Sequence, residues 1–121
     1  MDLLITKTQI KHKVKELGRQ ITKDYPNGIV IIGILKGCIP FLGDLVREIK
    51  TDCVIDFIYA KSYIGTKSDT VKLIQDISYN VFEKDVLIID DIIDTGKTID
   101  FVKNRLLNKK AKSVKDRKSV V

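Results

Sequence analysis

Residues 86–98 decide the fold, and they read Val86-Leu87-Ile88-Ile89-Asp90-Asp91-Ile92-Ile93-Asp94-Thr95-Gly96-Lys97-Thr98. The four leading aliphatic residues predict a strand of a parallel sheet that is covered on both faces. Beyond the acidic and small residues, Ile99, Val102 and Leu106 recur at helical spacing. The stretch therefore predicts a buried strand, a charged loop and a helix from Thr98 to about Leu107.

The loop in this stretch predicts a site for a phosphorylated ligand. The backbone N–H groups of residues 95–98 would lie at a helix N-terminus, where unpaired donors and the helix dipole favour a bound phosphate. Three carboxylates also lie in the loop, and alone they would repel a phosphate: Asp90, Asp91 and Asp94. They fit a ligand that also offers hydroxyl groups or brings a divalent cation, as a phosphorylated sugar does.

Two other interpretations of the loop explain its residues less well. Gly96-Lys97-Thr98 is shared with nucleotide-triphosphatase P-loops, but that motif requires a glycine five residues before Gly96, where this chain has Asp91. A helix that is merely capped by threonine explains the apolar run and Thr98. It does not explain three acids in the loop.

Outward from this stretch, helices and strands alternate. Helices are predicted from about Ile10 to Tyr25 and from Pro40 to Ile49, and strands at 29–35, 53–59 and 73–79. The polar segment 60–72 predicts a mobile loop. Loops of this length are uncommon in a compact domain unless they act in binding. The pattern predicts an α/β fold with a parallel, twisted sheet flanked by helices. Ligands of such sheets bind beyond the carboxyl ends of the strands.

Composition favours an ordinary single-domain protein. The chain has 121 residues, of which 44% are hydrophobic and 31% charged, and it contains no apolar run long enough to span a bilayer. No secretory signal is evident, so we expect a cytoplasmic location without membrane contact. Cys38 and Cys53 lie in apolar surroundings without a CxxC pair, so we expect neither a disulfide nor a metal site there.

The net charge of +6 lies mostly at the C-terminal end. Residues 109–121 contain six basic residues and one acid, so five of the six net charges lie there and residues 1–108 carry only +1. Such a run is more often solvated than bound to nucleic acid. We therefore expect no nucleic-acid partner.

The motif from Asp90 to Thr98 resembles the phosphoribosyl pyrophosphate (PRPP) signature of the type I phosphoribosyltransferases, most closely that of the hypoxanthine-guanine branch. Leu35-Lys36-Gly37 resembles the pyrophosphate loop of that family, which often contains a non-proline cis peptide before the lysine. Ser62-Tyr63, followed by Gly65, resembles the serine-tyrosine pair of the family's mobile catalytic loop. The likeness runs from near the N-terminus to about Val114.

The resemblance implies purine salvage, in which a phosphoribosyl group passes from PRPP to hypoxanthine or guanine to give IMP or GMP and pyrophosphate. It implies Mg²⁺ as cofactor, placed with the help of Asp90 and Asp91, which would also bind the ribose hydroxyls. It implies Asp94 as the general base toward the purine nitrogen. The implied substrate-binding residues are Lys36, Gly37, Ser62, Tyr63, Asp90, Asp91, Asp94, Thr95, Gly96, Lys97 and Thr98. Members of the family commonly form homodimers or tetramers.

The C-terminal end departs from the family pattern. Where the family continues into another apolar strand, this chain has Asp116-Arg117-Lys118-Ser119-Val120-Val121, which could not form a buried central strand without burying charge. We therefore expect an incomplete phosphoribosyltransferase domain at 1–115, lacking its C-terminal part and most of its purine side, and a divergent basic tail at 116–121. Two alternatives remain open: a PRPP-binding regulator whose basic tail contacts RNA, and an inactive fragment of the enzyme.

Overall fold

The computed structural model describes residues 7–64, 69–90 and 96–118. Within these ranges the chain forms helices and strands in the order α1 (Lys7–Asp24), β1 (Ile29–Ile34), α2 (Ile39–Val46), β2 (Cys53–Ile64), β3 (Asp69–Gln75), β4 (Asp85–Asp90), α3 (Lys97–Asn108) and β5 (Ser113–Lys118). The predicted helices end within three residues of those observed. Thr6, whose spacing to Gln9 would suit a capping box at the start of the first helix, lies outside the described residues.

The five strands form one sheet in the order β3-β2-β1-β4-β5. Strands β2, β1, β4 and β5 run parallel, and β1 and β4 are buried along almost their whole length. This arrangement confirms the predicted α/β sheet flanked by helices. One correction is needed, because β3 runs antiparallel to β2 at the edge of the sheet.

The core lies in two layers, one on each face of the sheet. On one face, the apolar sides of α1 and α2 pack over Ile31 and Leu87, with Val14, Ile21 and Leu45 at the centre of the contact. On the other face, α3 packs its buried residues Ile99, Val102 and Leu106 against Ile32, Val86 and Ile88. In the described part of the chain, no helix combines the length and the apolar character needed to cross a membrane.

The segment predicted as a mobile loop at 60–72 is instead mostly a hairpin of two strands. We call residues 59–64 and 69–75 the hairpin arm, and in it Lys61 pairs with Lys72 and Ser62 with Val71. Antiparallel pairing satisfies the backbone of a polar segment, while its small and apolar side chains pack inward, namely Ala60, Val71 and Leu73. The lysines in the outward positions hid this alternation from the sequence pattern. Residues 65–68 lie outside the described part.

The strand predicted at 73–79 therefore begins and ends earlier than expected, because the chain leaves the sheet at Asp76. Asp76 accepts hydrogen bonds from Ile77 N at 2.8 Å and from Arg105 Nη2 of α3 at 2.6 Å. Asp56 of β2 accepts from the backbone N–H groups of Ser78 and Tyr79 at 2.7 and 2.9 Å. These two carboxylates fix the connection between β3 and β4 against the sheet.

Strand β5 lies beside β4 and pairs Ser113 with Asp85 and Lys118 with Asp90. It extends three residues beyond the boundary at 115 that the sequence analysis placed between domain and tail. Asp116 accommodates its charge at this edge because Lys103 Nζ of α3 lies 3.1 Å from its carboxylate. Both side chains are about one-third exposed, at 37% and 32%, so the charge is not fully buried.

Candidate active site

Strands β1 and β4 lie side by side, and the chain leaves them in opposite directions. Gly33 of β1 is level with Ile89 of β4, so both strands end at the same edge of the sheet. From β1 the chain passes through α2 to β2 on one side, and from β4 it passes through α3 to β5 on the other. Such a switch in direction opens a crevice beyond the strand ends, where α/β proteins bind their ligands.

The loop after β1 presents a cation to this crevice edge. The peptide bond between Leu35 and Lys36 is cis, as the resemblance implied. Lys36 is exposed, and its Nζ lies 5.9 Å from the centre of the Tyr59 ring, within cation–π range. Ile39 N donates to Lys36 O at 3.1 Å, which closes a turn around Gly37. The loop therefore holds an exposed ammonium beside the middle of β2.

A glycine in β1 allows this loop to turn back closely onto the strand. A Cβ on Gly33 would lie 2.8 Å from Cys38 Sγ, 3.0 Å from Leu42 Cδ2 and 3.2 Å from Phe57 Cδ1. The strand at this position therefore has room only for hydrogen. Cys38 is fully buried as a result, and the start of α2 lies directly over the strand.

The loop after β4 presents a carboxylate and then a helix N-terminus. Asp90, the last residue of β4, is only 4% exposed. Gly96 precedes α3 with φ of 97°, a left-handed conformation that glycine adopts readily and that costs other residues strain. Asp100 N donates to Gly96 O, so the helix begins at once. Its first N–H groups have no partner within the helix and suit an anion.

Thr98, in the first turn of α3, connects this loop to the hairpin arm. It is 8% exposed, and its Oγ1 lies 2.8 Å from Ser62 Oγ of β2, with either hydroxyl able to donate. The neighbouring Tyr63 is 42% exposed. Its ring is flanked by Lys61 Nζ at 6.0 Å and Lys72 Nζ at 5.2 Å. The arm thus places the Ser62 hydroxyl against α3, and the phenol of Tyr63 with its two lysines on the opposite face of β2.

The two loops also interact electrostatically. The pKa of the Cys38 thiol is raised to about 11. Burial is the largest cause, a backbone hydrogen bond opposes it, and the negative charge of Asp90 raises the pKa further. Since a raised pKa keeps Cys38 protonated at neutral pH, this thiol contributes to the packing of the core and does not act as a nucleophile.

The sequence-predicted residues fall into two groups. Those that the structure describes gather at the crevice edge and on the adjoining hairpin arm: Lys36, Gly37, Ser62, Tyr63, Asp90, Gly96, Lys97 and Thr98. Asp91, Asp94 and Thr95 lie outside the described residues. Sequence reasoning missed Tyr59, which lies next to Lys36. The alternation of Phe57, Tyr59 and Lys61 along β2 was the signal available for it.

One carboxylate in the described part suits a metal ion that is brought by the ligand. Among residues 7–64, 69–90 and 96–118, no three His, Cys, Asp or Glu side chains group closely enough to hold a metal. Asp90 offers a carboxylate at the end of β4. Mg²⁺ commonly binds through one or two carboxylates together with waters and substrate phosphates. The donor set therefore fits a magnesium ion that arrives with a phosphorylated substrate.

The sequence model of the phosphoribosyl transferase domain matches residues 5–116, so the sheet and the two loops at its switch point are those of a phosphoribosyltransferase domain. A hypoxanthine-guanine phosphoribosyltransferase from Bacillus anthracis, of known crystal structure, is 44% identical with a TM-score of 0.87, over 98% of this chain and 69% of that one. The chain therefore belongs to the hypoxanthine-guanine phosphoribosyltransferase family, as the sequence motifs indicated.

Other relatives agree. The hypoxanthine-guanine phosphoribosyltransferase of Streptococcus mutans is 40% identical over 93% of this chain. The crystal structure of a hypoxanthine phosphoribosyltransferase from Staphylococcus aureus is 39% identical with a TM-score of 0.89, over 97% of this chain and 65% of that one. The chain spans 64% of the length of the Streptococcus mutans relative.

Proposed function

We propose that this protein acts in purine salvage by transferring a phosphoribosyl group from PRPP to hypoxanthine or guanine, which yields IMP or GMP and pyrophosphate. The observation that supports the proposal best is the pair of loops at the ends of β1 and β4, with an exposed lysine in one and a helix N-terminus in the other. PRPP carries a monophosphate on C5 and a pyrophosphate on C1 of one ribose. Two neighbouring anion sites of different chemistry match that ligand.

Each loop takes one end of the substrate in this proposal. The first turn of α3 holds the 5′-phosphate through the N–H groups and hydroxyls of residues 95–98, because these donors need no charged side chain to attract an anion. Lys36 and Gly37 hold the pyrophosphate that leaves. A lysine suits this role because its ammonium stabilises the negative charge that develops on the leaving oxygens.

The ribose and the purine are bound by three carboxylates, those of Asp90, Asp91 and Asp94. Asp90 and Asp91 accept hydrogen bonds from the ribose hydroxyls and help to hold Mg²⁺. When bound, Mg²⁺ neutralises charge on the pyrophosphate. Asp94 accepts the proton from the purine nitrogen that attacks the anomeric carbon, and this role requires hydrogen-bond reach in the bound complex.

We extend the proposal to the surroundings of the enzyme by family resemblance. The protein acts in the cytoplasm, as a homodimer or tetramer. Its proposed partners are PRPP, the purine base and pyrophosphate. Ser62 and Tyr63 belong to the side of the site on which the family's mobile loop covers pyrophosphate.

Calorimetry tests the proposal on the full chain. PRPP with Mg²⁺, ribose 5-phosphate and pyrophosphate are titrated separately, and nucleotide formation is then assayed with hypoxanthine. Binding of all three with turnover supports the whole reaction. Binding without turnover restricts the function to PRPP recognition, and a chain that binds neither PRPP nor ribose 5-phosphate contradicts the proposal.

The variant Asp94→Asn tests the assignment of the base. It removes the proton acceptor but keeps the shape, so turnover should fall more than PRPP affinity does. Asp100→Asn is the matched control, because Asp100 is an exposed residue in the first turn of α3. Loss of PRPP binding with unchanged turnover would assign Asp94 to binding instead.

A further inference from the structure

The hydrogen bond between Ser62 and Thr98 joins two parts of the molecule that are 36 residues apart in sequence. Ser62 lies in the hairpin arm, where it pairs with Val71. Thr98 lies in the first turn of α3, directly after Gly96 and Lys97. The bond therefore joins the arm to the helix end at which the phosphate of the proposed substrate would bind.

The chemistry of the two hydroxyls makes this bond sensitive to an anion. Each hydroxyl has one proton to donate and two lone pairs to accept with, so in the ligand-free protein either residue can be the donor. A phosphate dianion can only accept. A phosphate bound at the start of α3 would accept a hydrogen bond from the Thr98 hydroxyl, and Thr98 would then accept a hydrogen bond from Ser62.

We propose that Ser62 is a positioning residue that acts through Thr98: phosphate bound at α3 fixes the direction of the Ser62–Thr98 hydrogen bond and thereby fastens the hairpin arm. This inference rests on the proposed function, since it requires phosphate at α3. It places Ser62 behind the ligand-binding hydroxyl rather than on the ligand itself. Hydrogen bonds in such a chain strengthen one another because each donor becomes more polarised.

The consequence for the site lies in the residue next to Ser62. Side chains alternate along a strand, so a fastened Ser62 holds Tyr63 on the opposite side of β2, with Lys61 and Lys72 beside its ring. One ligand phosphate would thus order cationic and aromatic groups that lie on the neighbouring arm.

The experiment measures two quantities on the full chain with ribose 5-phosphate as the probe. Calorimetry gives its affinity, and amide hydrogen exchange gives the protection of residues 61–63 and 70–72 with and without it. In the wild type we expect ribose 5-phosphate to slow exchange of these amides about three- to tenfold, the range expected for one hydrogen bond that becomes charge-assisted.

Three variants separate positioning from general stability. Ser62→Ala should lose the phosphate-dependent protection of the arm, while its affinity for ribose 5-phosphate falls only about threefold. Ser62→Thr keeps a hydroxyl on a residue suited to a strand and should restore the protection. Ser78→Ala, at an exposed serine in the connection between β3 and β4, should behave as the wild type.

The outcomes are distinguishable. If the wild type binds ribose 5-phosphate without added protection of the arm, the proposed relay is overturned and the proposed function stands. Equal protection in Ser62→Ala and the wild type overturns it as well. If Ser62→Ala loses the protection and Ser62→Thr does not restore it, the loss comes from poorer folding rather than from the missing hydroxyl, and the relay is again overturned. If the wild type does not bind ribose 5-phosphate, both the relay and the proposed phosphate site fail.

Discussion

The ends of β1 and β4 begin from the same structure and finish with different chemistry. Both strands have six residues, lie side by side in parallel and are buried almost throughout. After β1 the chain turns tightly, exposes Lys36 and enters α2 on one face of the sheet. After β4 it places Asp90 at the edge and then enters α3 on the other face. The strands determine where a ligand binds, whereas the loops determine which groups it meets.

The difference extends into the strands at one position. Gly33 of β1 is level with Ile89 of β4, and Ile89 is fully buried in the core beneath α1 and α2. The tight return of the chain after β1 explains why a glycine is required there. On the β4 side, the connection to α3 is longer, and the glycine lies at its end, where Gly96 adopts a positive φ before the helix. Each loop therefore depends on one glycine, for a different physical reason.

The largest effect is expected for Gly33→Ala, which places a methyl group against Cys38, Leu42 and Phe57. Overpacking of this kind costs roughly 1–3 kcal/mol. Because the side chains of Cys38 and Leu42 are themselves buried and have little room to shift, we expect a value in the upper half of that range. Urea denaturation measures the loss. A cost below about 0.5 kcal/mol would show that the β1 loop can move away from the strand freely. Close packing would then not be the reason for the glycine in β1.

Next in size is Gly96→Ala, which tests the β4 loop through backbone conformation alone. A Cβ at Gly96 meets nothing within 4 Å, so its cost arises from the left-handed conformation, roughly 1–2 kcal/mol. We expect about tenfold weaker ribose 5-phosphate binding because the first turn of α3 shifts, with pyrophosphate binding unchanged. Calorimetry with each ligand checks this.

Gly43→Ala is the matched control, since a Cβ at Gly43 in α2 also meets nothing within 4 Å. There the backbone is helical, and alanine should stabilise the protein by about 0.4–1 kcal/mol. If both alanine variants changed stability equally, the positive φ of Gly96 would not be the cause.

Lys36→Ala in the β1 loop should affect the two ligands in the opposite way to Gly96→Ala. Loss of one charge-assisted contact should weaken pyrophosphate binding about tenfold and leave ribose 5-phosphate binding unchanged. Lys15→Ala, at an exposed lysine on α1, controls for the loss of a positive charge elsewhere. Equal weakening of both ligands by Lys36→Ala would mean that the two loops form a single anion site.

The sequence predicted the centre of the sheet better than its edges. Uninterrupted aliphatic runs identified β1 and β4, because strands covered on both faces have no polar side to show. The hairpin arm alternates polar with apolar residues, whereas β5 is almost entirely polar, and both depend on partners distant in sequence. A local pattern could not show that Ala60, Val71 and Leu73 turn inward together, so the arm was predicted as a loop.

In the candidate site as well, the sequence predicted the residues at the ends of the central strands better than those on the edge strands. Topology alone placed Lys36 and Asp90 at one edge, because the carboxyl ends of neighbouring parallel strands meet there. The contact between Ser62 and Thr98, by contrast, depends on how far β2 extends beyond its neighbours. Contacts that depend on strand length rather than strand order were outside the reach of the sequence.

The smallest predicted effect concerns an ion cluster that supports the β4 side. The Arg105 guanidinium donates to Asp76 at 2.6 Å, Lys109 Nζ lies 3.2 Å from the same carboxylate, and Ile77 N donates to it as well. The Arg105 hydrogen bond is the largest cause that holds the pKa of Asp76 well below its usual range. Burial opposes it, and Ile77 and Lys109 add to the lowering. The cluster ties α3 to the connection that leads into β4.

Because the pKa of Asp76 is lower in the folded than in the unfolded protein, the ionised form stabilises the fold. This contribution is complete above the unfolded pKa of about 4 and is lost as the pH falls below it toward the folded pKa. Asp76→Asn should cost about 1 kcal/mol at pH 7, a modest value because Arg105 and Lys109 are each 37% exposed and solvent screens the pair. The difference from the wild type should narrow between about pH 4 and pH 2.

Urea denaturation of both proteins at pH 7 and near pH 3 measures this narrowing. Asp44→Asn is the control on the α2 side, where Asp44 pairs with Arg47 and both side chains are more than half exposed. An ion pair this exposed should contribute no more than about 0.5 kcal/mol. If the cost of Asp76→Asn were the same at both pH values, it would come from hydrogen-bond geometry rather than from charge. The β4 side would then hold α3 through packing and hydrogen bonds, without a contribution from charge.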